Sequence, residues 1–187
     1  MEAWSEWVLT HDLPALPDEV EPDMSVPIAR WIGPRFASVL HLQWFPDWNP
    51  PGKRDRDTLG PWHEDYVRVS GQWKGVGGGG DGGWFDPPLI RPATIEPHSV
   101  RLSSPSADGD SGGSDDYHCW RLFGVAGSAI EWVEVIDRDG SSRQPIESPL
   151  GVFIACGDHT QLATITLLDR DGDIVDHRTI DPSDESG

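Results

Sequence analysis

Alternation of apolar and polar residues predicts short β-strands in the first half of this chain. Within Phe36–Phe45 the two kinds of position alternate, so that Leu40, Leu42 and Trp44 fall on one face. A period of two residues is typical of a strand, because successive side chains point to opposite faces. The segment Tyr66–Trp73 alternates in the same way and predicts a second strand.

Regular alternation returns in the last third of the chain. Five short strands are predicted there, at Tyr117–Ala126, Ile130–Ile136, Gly151–Cys156, Leu162–Leu168 and Ile174–Ile180. Asp137–Gly140 and Asp169–Gly172 each separate two of these segments. Because Asp-Gly is a strong signal for a tight turn, both predict β-hairpins.

Other segments show weaker patterns. Glu2–Leu9 fits a short helix or a strand, and Thr10–Pro34 predicts an extended segment that wraps a surface. Pro46–His63 predicts a long loop. Gly75–Gly83 is too rich in glycine for regular structure and predicts a flexible loop, which ends at the aromatic pair Trp84-Phe85.

Composition agrees with a mostly β fold, since 17 prolines and 21 glycines interrupt long helical windows and ten tryptophans offer large rings for a core. A Ser/Asp/Gly-rich stretch suggests a boundary between two regions. The prediction is a Trp-rich, loop-rich β region over 1–102, a linker or loop over 103–116, a β-sandwich region over 117–180 and an acidic tail over 181–187.

The C-terminal region also carries a resemblance. The residues concerned are Gly124-Val125-Ala126, Val133-Glu134-Val135, Asp139-Gly140, Gly151-Val152-Phe153 and Leu167–Gly172. This pattern resembles small immunoglobulin-like β-sandwich modules found in many uncharacterised proteins of high-GC bacteria. The resemblance covers about the last third of the chain and implies a fold but no activity.

Charge restricts the possible partners. The chain has 32 acidic and 14 basic residues, and its formal net charge is −18. Direct binding to nucleic acid and to anionic membranes depends on clustered Lys and Arg, so neither is expected. A basic or neutral protein partner is favoured, although a high negative charge also serves solubility alone.

Two cysteines are too few for a secreted disulfide framework. The segment Met1–Leu9 shows no basic leader followed by an apolar run, and no stretch approaches the length needed to span a bilayer. We therefore expect a cytoplasmic protein with two reduced, buried thiols.

One short motif is typical of a hydrolase. Gly109–Gly113 is similar to the sequence around the nucleophile of trypsin-like serine proteases, with Ser111 in the place of that nucleophile. His41 is a candidate base for such chemistry, but it lacks the small-residue context that this family places around its histidine. We expect no catalytic residue and no enzyme activity.

A second set of residues includes the ligand types that zinc accepts. Cys119, Cys156 and His159 are the three candidates, and the last two have workable spacing. Cys119, Trp132 and Cys156 also follow the order of the cysteine, tryptophan and cysteine of true immunoglobulin domains, which predicts that both thiols pack on Trp132. Buried thiols and surface histidines are the simpler interpretation, so we expect no bound metal and no cofactor.

Aromatic residues near the longest predicted loops are candidate binding residues. Trp48, Trp62, Trp84 and Phe85 are the residues chosen. Exposed indoles stack on sugar rings or anchor protein interfaces, whereas buried indoles only build the core.

Together these patterns favour a non-enzymatic protein with an acidic surface, one that binds another protein or has a structural accessory role. Two alternatives stay open. One is a module that binds carbohydrate or another small ligand through loop indoles. The other is an acidic inhibitor or immunity protein that blocks a basic toxin or nuclease.

Overall fold

A computed structural model of the chain describes residues 6–21, 24–45, 58–80, 96–103, 106–107 and 119–181. These residues form twelve strands and a single helical turn at 6–8. The strands are β1 (Ser25–Ile32), β2 (Phe36–Phe45), β3 (Thr58–Val69), β4 (Gln72–Gly80), β5 (Val100–Leu102), β6 (Ser106–Ala107), β7 (Cys119–Ala126), β8 (Ile130–Asp137), β9 (Gly140–Pro145), β10 (Val152–Asp158), β11 (Ala163–Asp169) and β12 (Ile174–Ile180). The prediction of a mostly β protein is confirmed.

The strands form three antiparallel sheets. Sheet I has the order β1-β2-β3-β4 and is a simple meander. Sheet II has the order β10-β7-β5, with β6 also pairing with β7. Sheet III has the order β12-β11-β8-β9. The predicted strand Phe36–Phe45 is β2 of sheet I, with the same bounds.

Both faces of sheet I are covered. On one face, Asp65 of β3 pairs with Arg121 of β7, so this face packs against sheet II. On the other face, Ala37 and Val39 of β2 join a second apolar cluster with Val8 of the N-terminal segment. β2 is therefore buried at alternate positions by two different layers, which explains its apolar character on both faces.

Sheet II is buried throughout β7, where all eight residues are buried. Because alternate residues point to opposite faces, both faces of this sheet are covered. Gly157 of β10 lies opposite Trp120 of β7, and a Cβ at this glycine would approach the indole ring to 2.8 Å. The absence of a side chain at position 157 thus makes room for the fully buried Trp120.

Sheet III confirms both Asp-Gly hairpins. Residues 138–139 turn between β8 and β9, and residues 170–173 turn between β11 and β12. The predicted strand Ile174–Ile180 has the bounds of β12. β9 was not predicted, because Gly140–Pro145 has no apolar alternation and forms an exposed edge of the sheet.

The predicted flexible loop at Gly75–Gly83 is wrong over its described part. Residues as far as Gly80 belong to β4, which pairs with β3. A Cβ on Gly78 would lie 2.6 Å from the backbone oxygen of His63, closer than real Cβ contacts come. Here glycine permits the close approach of two strands rather than supplying flexibility.

Three other boundaries also differ. The predicted strand Tyr66–Trp73 ends at Val69, because Ser70 and Gly71 have φ values of 53° and 83° and form a tight two-residue hairpin turn. The predicted loop Pro46–His63 includes the first residues of β3, and the predicted wrapping segment Thr10–Pro34 includes the whole of β1.

Long-range side-chain contacts close the outer edge of β1. The Gln144 amide accepts from the Ile32 N–H at 3.0 Å and donates to the Ile32 carbonyl at 2.8 Å, as a neighbouring strand would. Arg30 donates to both oxygens of Glu147 at 2.9 Å and to the carbonyls of Val8 and His11. β1 is thereby tied to both the N-terminal segment and the C-terminal region.

One apolar core includes residues from all three sheets. β5, which lies within the predicted region 1–102, pairs with β7 of the predicted region 117–180. The proposed boundary at 103–116 lies largely outside the described residues. The division into regions and the immunoglobulin-like character of the C-terminal one remain predictions.

Candidate functional site

Of the four predicted binding residues, the structure describes only Trp62. This residue lies on β3 opposite His41 of β2 and is partly buried. Trp48, Trp84 and Phe85 lie outside the described residues. Among the tryptophans that the structure describes, Trp7 alone is classed as exposed, at 41%. The described indoles therefore serve mainly as core or partly covered groups.

Two of the three metal candidates, Cys119 and Cys156, lie close to each other in sheet II, whereas His159 follows the end of β10. Cys119 and Cys156 are buried cysteines on neighbouring strands, where they form no disulfide and lie opposite Asp158 and Arg121. Burial raises the pKa of the Cys156 thiol well above its usual value, and the nearby Cys119 raises it further. No group of three or more His, Cys, Asp or Glu side chains in the described ranges, which include His159, is placed to hold a metal ion.

The cysteines also differ from the expected immunoglobulin arrangement. They lie on adjacent strands of one sheet rather than on two facing sheets. Trp132 alternates with Val133, which is buried in the core, and it carries the guanidinium of Arg143 4.8 Å from its ring centre. Trp132 therefore points away from the core, and the expected packing of both thiols on it is not what the structure shows.

The candidate catalytic histidine is buried. His41 is 2% exposed, and burial lowers its pKa to about 4, although the nearby Glu64 carboxylate opposes this shift. The hydroxyl of Tyr66 donates to Glu64 at 2.8 Å. Ser111 lies outside the described residues. His41 is thus a neutral interior group at physiological pH rather than an accessible base.

A shallow pocket at one end of the molecule combines an apolar floor with charged walls. We call it the acidic pocket; it lies where the turn between β1 and β2, the hairpin between β8 and β9 and the end of β10 meet. Its floor is formed by Trp31, Phe36, Val135 and Cys156. Sequence reasoning missed this pocket, since its walls come from three distant segments.

Carboxylates dominate the rim of the acidic pocket. Asp137, Asp139 and Asp158 face a single cation, Arg35, whose Nη1 lies 2.7 Å from Asp158 Oδ2. Backbone and side-chain donors hold two of these carboxylates in place. The Asp139 N–H donates to Asp137 at 2.8 Å, and both the N–H and the hydroxyl of Thr160 donate to Asp158 at 2.9 and 2.7 Å.

Two exposed apolar side chains lie at the same end of sheet III. Ile136 is 44% exposed and Leu162 is 59% exposed. Thr164 lies opposite Ile136 in the register of β8 and β11, so Leu162, two residues earlier, falls close to the same edge. Because Ile136 alternates with Val135 and Asp137, which line the acidic pocket, these two apolar side chains lie on the opposite face of sheet III from the pocket.

Many of the positive side chains are already paired within the molecule. The arginines that pair with carboxylates are Arg30, Arg35, Arg121, Arg170 and Arg178. This pairing leaves a large excess of carboxylates at the surface, consistent with the net charge of −18. An approaching protein therefore experiences a predominantly negative field.

No helix within the described part of the chain is both long enough and apolar enough to cross a membrane. Comparisons with family models, with curated proteins and with solved structures find no match to this chain.

Proposed function

We propose that this protein is a non-catalytic binding protein that takes a basic protein partner at the acidic pocket. The observation that carries the proposal is the apolar floor beneath three carboxylates. A lysine or arginine side chain has a matching structure, with an apolar stem and a charged end. The stem would lie over the floor beside Arg35, whose guanidinium lies 5.0 Å from the centre of the Phe36 ring, and the charge would reach Asp137 or Asp139.

The geometry of Arg35 supports this proposal. Its guanidinium lies at the rim and bonds to Asp158, so a planar cation fits the space beside that carboxylate. Charge-assisted bonds between a guanidinium and a carboxylate are among the stronger hydrogen bonds in proteins.

The proposal also includes four aromatic residues as anchors of the interface with the partner, namely Trp48, Trp62, Trp84 and Phe85. An indole that is partly exposed contributes large contact area at an interface. Alanine at these positions should weaken capture of the partner if they are anchors. A cytoplasmic location also remains a proposal, and the two buried cysteines, which form no disulfide, support it because they suit a reducing compartment.

A second function follows from the charge. An acidic inhibitor of a basic toxin or nuclease would use many carboxylates in place of nucleic-acid phosphates, and the excess of 32 acidic over 14 basic residues favours such a role. Its binding would depend steeply on salt, whereas contacts centred on the apolar floor would persist as salt rises.

The test is capture of partners from lysate of the source organism by wild type and two charge-matched variants. Asp137→Asn with Asp139→Asn removes two carboxylates from the pocket. Asp171→Asn with Asp173→Asn removes two exposed carboxylates from the opposite end of sheet III. We expect the pocket variant to bind the partner about tenfold more weakly and the control to bind as wild type does.

Equal binding by all three proteins would overturn the assignment of the pocket. Equal weakening in both variants, together with loss of binding at high salt, would favour the inhibitor, because a diffuse negative field would then carry the affinity. Failure to capture any basic protein would overturn both functions.

A further inference from the structure

The open edge of sheet III carries a pattern of charges that is complementary to itself. β12 is the last strand of the sheet order, and within the described ranges no strand pairs with its outer edge. An unpaired strand edge is a template for another strand. The sequence of β12 indicates which strand that would be.

The backbone at the centre of β12 points outward. The N–H of His177 donates to the carboxylate of Asp176 at 2.8 Å. A backbone donor that bonds to its neighbour's side chain is not engaged with β11, so it faces the open edge. In the antiparallel pattern, a residue whose N–H faces outward also directs its carbonyl outward. Position 177 can therefore exchange two hydrogen bonds with a second strand once its N–H exchanges the Asp176 carboxylate for the carbonyl of that strand.

We infer that two copies of this chain associate through their β12 strands, which pair antiparallel about a two-fold axis at His177. This register places Asp176 opposite Arg178 of the second copy, and the symmetry repeats the contact. Both side chains lie on one face of the strand, where Arg178 Nε is 3.6 Å from Asp176 Oδ2 within one chain. Positions 176 and 178 would form a non-hydrogen-bonded pair, in which facing side chains come closest.

The pairing also accounts for an exposed apolar side chain. Ile174, at the start of β12, is 67% exposed. In the antiparallel register it lies beside the end of β12 of the second copy. The two four-stranded sheets then join into one continuous eight-stranded sheet. The acidic pocket is lined by residues outside β12, so it stays accessible in the dimer.

The two copies share a net charge of −18 each, and this long-range repulsion opposes association at low salt. Salt at physiological strength screens charges beyond about 8 Å. The cross-strand ion pairs act at shorter range. Self-association is therefore expected to persist or strengthen as salt rises, in contrast to the capture of a basic partner.

The experiment measures the mass of the full chain by sedimentation at increasing concentration and physiological ionic strength. The wild type should show a concentration-dependent dimer. Arg178→Asp places acids opposite acids, and Asp176→Arg places bases opposite bases. Each single variant should dimerise at least about tenfold more weakly than wild type, since like charges directly opposite each other destabilise strand pairs.

Mixing the two single variants provides the matched control. An Asp/Asp strand complements an Arg/Arg strand, so the one-to-one mixture should form a heterodimer. The double variant Asp176→Arg with Arg178→Asp should form a homodimer again. Recovery in both cases also shows that the variants are folded. A wild type that remains monomeric at millimolar concentration, or single variants that dimerise as wild type does, would overturn the inference.

Discussion

The carboxylate of Asp65 lies 2.8 Å from the guanidinium Nη2 of Arg121, and both side chains are only 2% exposed. This ion pair joins β3 of sheet I to β7 of sheet II across the interior. The hydroxyl of Ser38 donates to the other oxygen of Asp65 at 2.6 Å, and His63 Nε2 lies 3.6 Å from its Oδ2. Carboxylate and guanidinium are therefore compensated locally, although both are removed from water.

Loss of one member of this pair should be costly. Arg121→Met leaves the Asp65 carboxylate buried without its cation, and we expect the free energy of unfolding to fall by about 3–5 kcal/mol. The measurement is chemical denaturation at neutral pH. Arg170→Met is the control, because Arg170 pairs with Glu131 at 2.9 Å on the exposed surface, and its loss should change stability little.

A second variant tests the same pair in another way. Asp65→Leu combined with Arg121→Met removes both charges together. We expect this double variant to be more stable than Arg121→Met alone, since no uncompensated charge remains. The single variant Asp65→Leu completes the comparison. A double variant that loses as much stability as the two single variants added together would contradict a direct coupling between these residues.

The glycines of β4 should differ in their tolerance of a methyl group. Gly78→Ala would place a Cβ 2.6 Å from the His63 carbonyl oxygen, and we expect a loss of about 1–3 kcal/mol in stability. Gly75→Ala is the matched control, since its Cβ would meet only the Tyr66 ring at 3.8 Å. Thermal unfolding of the two variants should differ clearly, and equal melting temperatures would argue against the close pairing of β3 and β4.

Stability should depend on pH through His41. Its folded pKa of about 4 lies below the ordinary value of 6.5, so the unfolded chain binds a proton first as pH falls. The contribution of neutral His41 is fully present above pH 6.5 and is lost progressively as pH falls towards 4. Between pH 7.5 and 5 the loss amounts to about 2 kcal/mol.

The variant His41→Gln isolates this effect. Its stability should fall less than that of wild type between pH 7.5 and 5, as measured by urea unfolding. His98→Gln, at an exposed position, should retain the wild-type slope. The same slope in all three proteins would contradict a buried, neutral His41.

The interior thiols should resist chemical modification. Burial raises the pKa of the Cys156 thiol, which leaves it little reactive thiolate, and burial of Cys119 keeps a reagent away from that thiol. We expect an aromatic disulfide reagent at pH 8 to label neither thiol in the folded chain and both in denaturant. Fast labelling of the native protein would show that sheet II opens readily or that its thiols are accessible.

The role proposed for the acidic pocket gives a prediction for Arg35. Arg35→Gln frees the Asp158 carboxylate for an incoming cation, and affinity for a basic partner should rise several-fold. Arg138→Gln, on the exposed tip of the adjacent hairpin, changes the net charge equally and serves as control. A similar gain in both variants would show that overall charge, rather than the vacated site beside Asp158, controls the affinity.

Local patterns predicted much of the fold. β2 has the predicted bounds because apolar and polar residues alternate along it. β12 has the predicted bounds because the turn at Asp169–Gly172 marks where it begins. The Asp-Gly turns define both hairpins of sheet III. β4 was missed because backbone contacts with β3 select its glycines, and such contacts leave no alternation of side chains. β9 was missed because an exposed edge strand requires little apolar surface.

The candidate site was less predictable than the fold. Its floor brings Trp31 next to Val135, and its rim brings Arg35 next to Asp158. The two members of each pair are far apart in the sequence. No local pattern encodes such proximity. The composition indicated an acidic surface but could not indicate where an apolar floor would lie beneath the charges.

The contacts that close the edge of β1 impose an order of events during synthesis. Ile32 is separated from Gln144 by 112 residues of chain, so the ribosome must add that length before the amide is available. At about 5–20 residues per second, β1 waits for roughly 6–22 seconds with its outer edge unprotected. A nascent chain with an open strand edge can be captured by other nascent chains. The outer edge of β1 is therefore more exposed during synthesis than in the finished protein, where the Gln144 amide bonds to it.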